Sequence, residues 1–166
     1  MKSLSSQYSN TLVGLLLTVP NLLGLAAMIA VSRSSDRRLE RRYHVAIPAL
    51  VSTAALLLLG ASPSPFCALT LLCLLAAGVF SCLGPFWALP SEFLAGYSAA
   101  AGIALINSVG NLGGFVAPVA IGFAIERSGM LSAGFALAAL PVLGAAILVL
   151  LLRKKVRRLA QVTRRD

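Results

Sequence analysis

Long apolar runs separated by short polar segments make up most of the chain. Each of five runs is long enough for a helix that crosses a bilayer, which takes about 20 apolar residues. The pattern therefore predicts an all-α fold, a polytopic membrane helical bundle of five transmembrane helices. The predicted spans cover residues 11–31, 45–61, 66–88, 98–125 and 131–152.

Composition supports a membrane protein and excludes two other classes. Of the 166 residues, 58% are hydrophobic and 11% are charged, and the mean hydropathy is +0.91. A soluble domain usually carries about 25% charged residues, so a water-soluble globule is excluded. Intrinsic disorder is excluded as well, because it requires low hydrophobicity.

The positive charges indicate a topology. The chain carries 14 Lys and Arg residues, and apart from Lys2 and Arg127 they lie within residues 33–42 and 153–165. Basic clusters beside apolar runs mark the cytoplasmic side. We therefore predict an inner-membrane protein with an external polar tail at residues 1–10 and a basic cytoplasmic tail at residues 153–166. This placement argues against nucleic-acid binding, as does the lack of interleaved aromatic residues.

An odd number of spans with an external N-terminus and no signal sequence predicts that a preceding helix is missing.

No catalytic constellation is visible in the sequence, whose only histidine is His44, at a predicted membrane boundary. The three cysteines lie inside apolar runs and show no metal-ligand spacing. We predict that the protein is not an enzyme and uses no cofactor and no metal.

One face of the fourth predicted span is polar. Asn107, Asn111, Gly114 and Pro118 follow the spacing i, i+4, i+7 and i+11, which places them on one side of a helix. We expect this face to look into the bundle, because two amides facing lipid would lack hydrogen-bond partners. Each amide can bind a substrate hydroxyl or carboxylate, or bond to a neighbouring helix, and the pattern leaves both open.

Two other positions have alternative interpretations. Trp87 lies between Pro85 and Pro90, which we expect to break the helix as in discontinuous binding helices. It belongs either to an interfacial aromatic belt or to the wall of a cavity. Asp36 stands among arginines that either set the topology or form a charge network joining two cytoplasmic helix ends.

Several motifs resemble one transporter family. The runs 86–94 (FWALPSEFL) and 99–115 (AAAGIALINSVGNLGGF) resemble the tenth and eleventh helices of the major facilitator superfamily. They are most similar to its anion:cation symporter branch, which includes tartrate, phthalate and sugar-acid permeases. Residues 35–48 are similar to the loop between helices eight and nine of that branch, and residues 9–16 to the entry of helix eight. The resemblance covers about residues 4–153.

The resemblance implies that the spans correspond to helices eight to twelve, a C-terminal half lacking its first helix. The family packs two six-helix halves around a central cavity and works by alternating access. It implies substrate-binding positions at Phe86, Trp87 and Asn107, with Asn111 one turn further along the same face. It implies a cytoplasmic gating motif at Asp36, Arg37, Arg41 and Arg42, although Ser32 and Leu39 stand where the family usually has glycine.

The resemblance also implies a function. We predict a partial secondary-active transporter, similar to an organic anion:proton symporter, that supplies one wall of the substrate cavity. Its partners would be the lipid bilayer, a small organic anion such as a sugar acid or tartrate, and the proton. In this branch the proton-coupling carboxylates and the anion-binding arginine lie in the N-terminal half, so we expect the chain to be inactive alone. The alternatives are a non-transporting five-span scaffold and a half-transporter that pairs with a partner subunit.

Overall fold

A computed structural model describes residues 10–152 of the chain, and this part is helical without strands. The predicted basic tail and nearly all of the predicted external tail lie outside the described residues. Five helices are long and apolar enough to cross a membrane, which confirms the predicted helical bundle. With one short helix between the third and fourth of them, the elements are α1 (Asn10–Arg38), α2 (Arg42–Leu59), α3 (Pro65–Ala88), α4 (Pro90–Phe93), α5 (Gly96–Ser128) and α6 (Leu131–Leu151).

Helices α1, α2, α3 and α6 form the packed part of the bundle. Helix α3 packs against both α1 and α2, and α2 packs on its other side against α6. Small residues permit the close approach of α2 and α3: a Cβ atom at Gly78 would lie 2.6 Å from the carbonyl oxygen of Pro48. Buried Ser52 faces the same glycine. Close packing of small residues is the usual way in which membrane helices associate.

Helix α5 stands apart from this packing. None of its residues with a described side chain is buried, and among the longer helices it packs mainly against α6, where Ile121 and Ile125 meet Gly134. The expectation that its polar face looks into the bundle is therefore wrong for the described residues. The reason is that the packing against α6 lies near one end of α5 and leaves the polar face uncovered.

The predicted loop at residues 32–44 is largely helical. Helix α1 continues to Arg38, and α2 begins at Arg42. Arginine is a good helix former, and positive charges in a last turn interact favourably with the helix dipole. The Oγ of buried Ser35 donates a hydrogen bond of 2.9 Å to the carbonyl oxygen of Glu40 and closes the turn. Asp36 thus lies in the last turns of a helix and not in a loop.

The prediction that two prolines break the helix around Trp87 is wrong for the first of them. Pro85 is buried within the continuous helix α3, and the chain turns only after Ala88, so that Pro90 begins the short helix α4. A proline removes one backbone donor, and membrane helices tolerate this where neighbouring groups satisfy the freed carbonyl.

The helix ends meet in two groups. The turn between α1 and α2 lies at one end of the bundle with the C-termini of α3 and α6, where Val45, Leu89 and Val149 form a buried cluster. We call this the arginine-rich end. At the opposite end a Cβ atom at Gly60 would lie 2.7 Å from Ser132, next to the turn between α5 and α6. The side of the membrane on which each end lies remains a prediction.

Candidate functional site

An ion pair closes the turn at the arginine-rich end. The Nη1 atom of Arg41 lies 2.7 Å from the Oδ1 atom of Asp36. The Asp36 side chain is 65% exposed, whereas that of Arg41 is 19% exposed. The pair joins the last turns of α1 to the residue immediately before α2, which is the arrangement expected of a charge network between two helix ends.

Glu40 caps the start of α2 from the same turn. Its carboxylate accepts hydrogen bonds from the backbone N–H groups of Arg42 at 3.1 Å and Tyr43 at 2.9 Å. These groups are among the donors that a helix leaves unpaired at its N-terminus. Sequence reasoning missed this role, although an acidic residue just before a helix is a recognisable start signal. The apolar run does not reveal the capping role of Glu40, because α2 begins before that run.

His44 extends the same polar cluster. Its Nδ1 atom lies 3.4 Å from the Oε2 atom of Glu40, and its Nε2 atom lies 3.0 Å from the Oγ atom of Ser34. The ring thereby connects α1, the turn and α2. The interfacial position that the sequence predicts for His44 is thus also a hydrogen-bonding position between two helices.

Arg42 connects this cluster to the end of α6. Its Nε atom donates a hydrogen bond of 3.2 Å to the carbonyl oxygen of Val149, and an Nη atom contacts that of Leu150. A guanidinium at the C-terminus of a helix satisfies free carbonyls and interacts favourably with the helix dipole. Of the four residues predicted for the gating motif, Asp36 and Arg41 pair with each other, and Arg42 bonds to the end of α6. Arg37 is exposed at the surface of α1.

Phe86 and Trp87 lie at the end of α3 and have different environments. Their ring centroids are 5.3 Å apart in an edge-to-face arrangement. Phe86 is partly buried, and its ring packs against the buried cluster of Val45, Leu89 and Val149. Trp87 is 36% exposed. Of the two predicted substrate contacts, therefore, only Trp87 presents a ring at the surface of the described residues.

Asn107 and Asn111 are exposed on α5, and neither side chain forms a hydrogen bond with the described part of the chain. Several other polar side chains in the helices bond to the backbone of their own helix. The Ser108 hydroxyl donates to the carbonyl oxygen of Ala104 at 2.9 Å, and the Asn21 amide donates to that of Leu17 at 2.9 Å. The two α5 amides thus differ from comparable groups in having no internal partner.

The predicted substrate positions lie on two different helices. Trp87 lies at the end of α3, whereas Asn107 and Asn111 lie further along α5, and no hydrogen bond within residues 10–152 joins them. Over the same residues, no group of three or more His, Cys, Asp and Glu side chains is placed to hold a metal ion. The arrangement offers hydrogen-bonding and stacking groups on an open surface, and these groups suit binding of a solute.

Comparison with known proteins identifies the family. The model of the Major Facilitator Superfamily matches residues 2–166. The chain belongs to the major facilitator superfamily. This confirms the resemblance stated above, and it places the protein in a family of transporters and not of enzymes.

Individual superfamily members are similar over most of the chain. A quinolone resistance transporter of Acinetobacter baumannii is 39% identical over 150 residues, which are 90% of this chain and 35% of that protein. A protein of Agrobacterium vitis named as a tartrate transporter is 39% identical over 142 residues, which are 86% of this chain and 32% of that protein. The chain therefore spans about a third of the length of these curated relatives. No solved structure matches it.

Proposed function

We propose that this chain forms part of an organic anion:proton symporter, in which α5 supplies one wall of the substrate cavity. A further segment, corresponding to the part of the longer relatives outside the matched region, completes the cavity. The chain alone binds no substrate productively and transports nothing. The cargo is a sugar acid, tartrate or a related small carboxylate.

The observation that carries this proposal is the pair of unsatisfied amides on α5. A polar group placed in hydrocarbon without a hydrogen-bond partner costs several kcal/mol. Asn107 and Asn111 lie in the middle part of a 33-residue helix, and their side chains have no hydrogen-bond partner within the described chain. A water-filled cavity with a polar solute satisfies them, and so does a packed neighbouring helix. The amide groups suit a hydroxy acid because they donate to carboxylates and accept from hydroxyls.

The chemistry of the cargo is supported by relatives. The Agrobacterium vitis protein is named as a tartrate transporter at 39% identity, and a second protein of that organism carries the same name at 38% identity. Tartrate offers two carboxylates and two hydroxyls to polar side chains. Because another relative is named for quinolone resistance, a quinolone is the second solute to test.

Proton coupling requires groups from outside the described helices. The chain has 5 acidic residues, and those in the described spans are Asp36 and Glu126, each near a helix end. A carboxylate that carries a proton across the membrane has to face a cavity at depth. We propose that the completing segment supplies it, and that the arginine-rich end faces the cytoplasm of the inner membrane.

Uptake of radiolabelled tartrate into proteoliposomes tests the proposal. One preparation contains this chain alone. The other also contains the part of the tartrate relative that lies outside the matched region. Under an inwardly directed proton gradient, we expect uptake only in the second preparation, with loss of uptake when a protonophore dissipates the gradient.

Two variants separate a cavity wall from a scaffold. Asn107→Leu removes an unsatisfied amide and should abolish uptake. The matched control is Ser108→Ala, because this neighbouring hydroxyl already bonds to its own helix. Equal uptake by Asn107→Leu and the wild-type chain would contradict the cavity-wall role and favour the scaffold. Uptake by the chain alone would contradict its dependence on a completing segment, and crosslinked homodimers in active vesicles would favour self-pairing.

A further inference from the structure

An apolar groove runs along the surface between α1 and α3. Its volume is about 480 Å³, and its α1 wall consists of Leu23, Ala26, Ala27 and Ala30. The α3 wall includes Cys73, and nearly the whole lining is apolar. The groove forms because the alanine side chains on α1 are small and the residues beside them are larger. A groove of this kind between two membrane helices accommodates an alkyl chain.

The α1 wall of the groove leads directly to two arginines. Leu23, Ala26, Ala30, Arg33 and Arg37 are spaced alternately by three and four residues, so they share one face of the helix. Arg33 and Arg37 are both exposed and lie in the last two turns of α1. Beyond Ala30, therefore, the helix face that forms this wall continues to two guanidinium groups.

The acidic groups described nearby have other partners. Asp36 is paired with Arg41 at 2.7 Å, and the Glu40 carboxylate accepts from the backbone at the start of α2. Within the described residues, neither Arg33 nor Arg37 forms an ion pair. The helix face beyond the groove wall thus carries a positive charge that this part of the chain does not neutralise.

We propose that the groove and the two arginines form a binding site for an anionic phospholipid. The phosphate of the headgroup binds Arg33 and Arg37, and one acyl chain lies in the groove between α1 and α3. Guanidinium groups bind phosphate oxygens through paired, charge-assisted hydrogen bonds. Basic pockets between membrane helices are suited to anionic headgroups on thermodynamic grounds, since each arginine near the surface adds attraction.

The dimensions of the groove fit this ligand. The step from Leu23 to Arg33 rises about 15 Å along the helix. This is about half of the ~30 Å hydrocarbon core of a bilayer, which is the depth occupied by the acyl chains of one leaflet. A soluble phosphate would use only the arginines and leave the groove unexplained. The site therefore selects a molecule that is anionic at one end and apolar over this length.

Native mass spectrometry of the purified 166-residue chain measures the predicted binding. We expect dioleoylphosphatidylglycerol to bind at least tenfold more tightly than dioleoylphosphatidylcholine. The Arg33→Gln/Arg37→Gln variant should lose roughly tenfold or more of the phosphatidylglycerol affinity, and Arg33→Lys/Arg37→Lys should retain most of it. Because the lysine variant keeps both charges, it separates loss of charge from loss of the arginine side chains, and circular dichroism of both variants shows whether each is folded.

A charge-matched variant distinguishes the groove from general attraction to a basic protein. The Arg164→Gln/Arg165→Gln variant loses the same amount of charge near the C-terminus of the sequence, far from Arg33 and Arg37. It should keep a phosphatidylglycerol affinity within about twofold of that of the wild type. An equal loss in both double variants would overturn the proposal. So would equal affinity for the two phospholipids, or displacement of the lipid by glycerol phosphate at comparable concentrations.

The acyl-chain position is tested separately. Ala30→Phe fills the groove without changing the charge and should reduce binding at least fivefold, whereas Ala136→Phe, on the exposed surface of α6, should not. Phosphatidylglycerol with a photoactivatable acyl chain should label α1 and α3 near the groove in preference to α6. Unchanged binding by Ala30→Phe, or labelling spread evenly over the helices, would overturn the site. Exclusion of lipid by a completing protein segment would also overturn it, because that segment would then occupy the groove.

Discussion

The Nε atom of Arg42 and the carbonyl oxygen of Val149 form a hydrogen bond of 3.2 Å between residues 107 positions apart in the sequence. The same guanidinium reaches the carbonyl of Leu150. The bond joins the first residue of α2 to the last turn of α6, while Glu40 holds the same start of α2 from the other direction. The start of α2 is therefore fixed both to the end of α6 and to the turn that precedes α2.

This relationship predicts that Arg42→Gln destabilises the packed part of the bundle. Hydrogen bonds to charged groups contribute about 1.5–3 kcal/mol, and the α6 carbonyls would lose their partner. We expect a loss of this size in the free energy of unfolding, measured by circular dichroism in detergent micelles with increasing dodecyl sulfate. Arg127→Gln is the control, since Arg127 stacks on Phe123 at 5.2 Å and should contribute below about 1 kcal/mol. Equal losses would show that the bond to α6 is not a stabilising contact.

Hydropathy alone predicted the number of membrane helices, because five long apolar runs have no other stable arrangement in a bilayer. It could not predict the end of α1. Arg37 and Arg38 are polar, and their favourable interaction with the helix dipole leaves no trace in a hydropathy pattern. The hydropathy pattern therefore does not predict that α1 continues to Arg38. It does not predict the capping role of Glu40 either, because it does not place the start of α2 at Arg42.

For the site, the sequence predicted a shared face on α5 but not its surroundings. The spacing of Asn107 and Asn111 depends only on helix geometry. Whether a face is covered depends on which helices pack beside it, and α5 packs mainly against one end of α6. Phe86 shows the same limit. Its neighbour Trp87 is surface-exposed, while Phe86 packs into a cluster formed by three different segments.

Leu39 is the residue for which we predict a stabilising substitution. Its φ angle is +49°, a left-handed conformation that costs a residue with a Cβ atom roughly 1–2 kcal/mol. The side chain is 71% exposed, so its removal should cost few packing contacts with the rest of the chain. Leu39→Gly should raise the free energy of unfolding by about 0.5–1 kcal/mol. Leu57→Gly provides the control, because Leu57 is also exposed but lies inside α2, where glycine should lower stability by about 1 kcal/mol. Destabilisation by both substitutions would contradict the strain at Leu39.

Gly78 marks the closest approach of α2 and α3, and we predict that Gly78→Ala destabilises the chain. The added methyl group would contact the Oγ atom of Ser52 and lie 2.6 Å from the carbonyl oxygen of Pro48. Overpacking of this kind typically costs about 1–3 kcal/mol. A Cβ atom at Gly110 of α5 meets nothing within 4 Å. Gly110→Ala should therefore leave the stability of this chain unchanged or raise it slightly, because alanine favours helix. Thermal unfolding of both variants in the same detergent compares them, and a matching loss at Gly110 would reveal a contact on α5.

Asp36 at the end of α1 and Glu40 in the turn that follows should differ in their contribution to stability. Glu40→Ala removes the acceptor for two backbone N–H groups at the start of α2, and loss of a helix cap costs about 1 kcal/mol. Asp36→Ala breaks an ion pair whose carboxylate is 65% exposed. Such pairs contribute about 0–1 kcal/mol, and salt screens them further. We expect Glu40→Ala to lower the free energy of unfolding more than Asp36→Ala at both low and high salt. The small effect of Asp36→Ala should decrease as sodium chloride is added, whereas that of Glu40→Ala should change less, because hydrogen bonds to the backbone contribute to it. A reversed order would show that the ion pair, and not the cap, holds this turn.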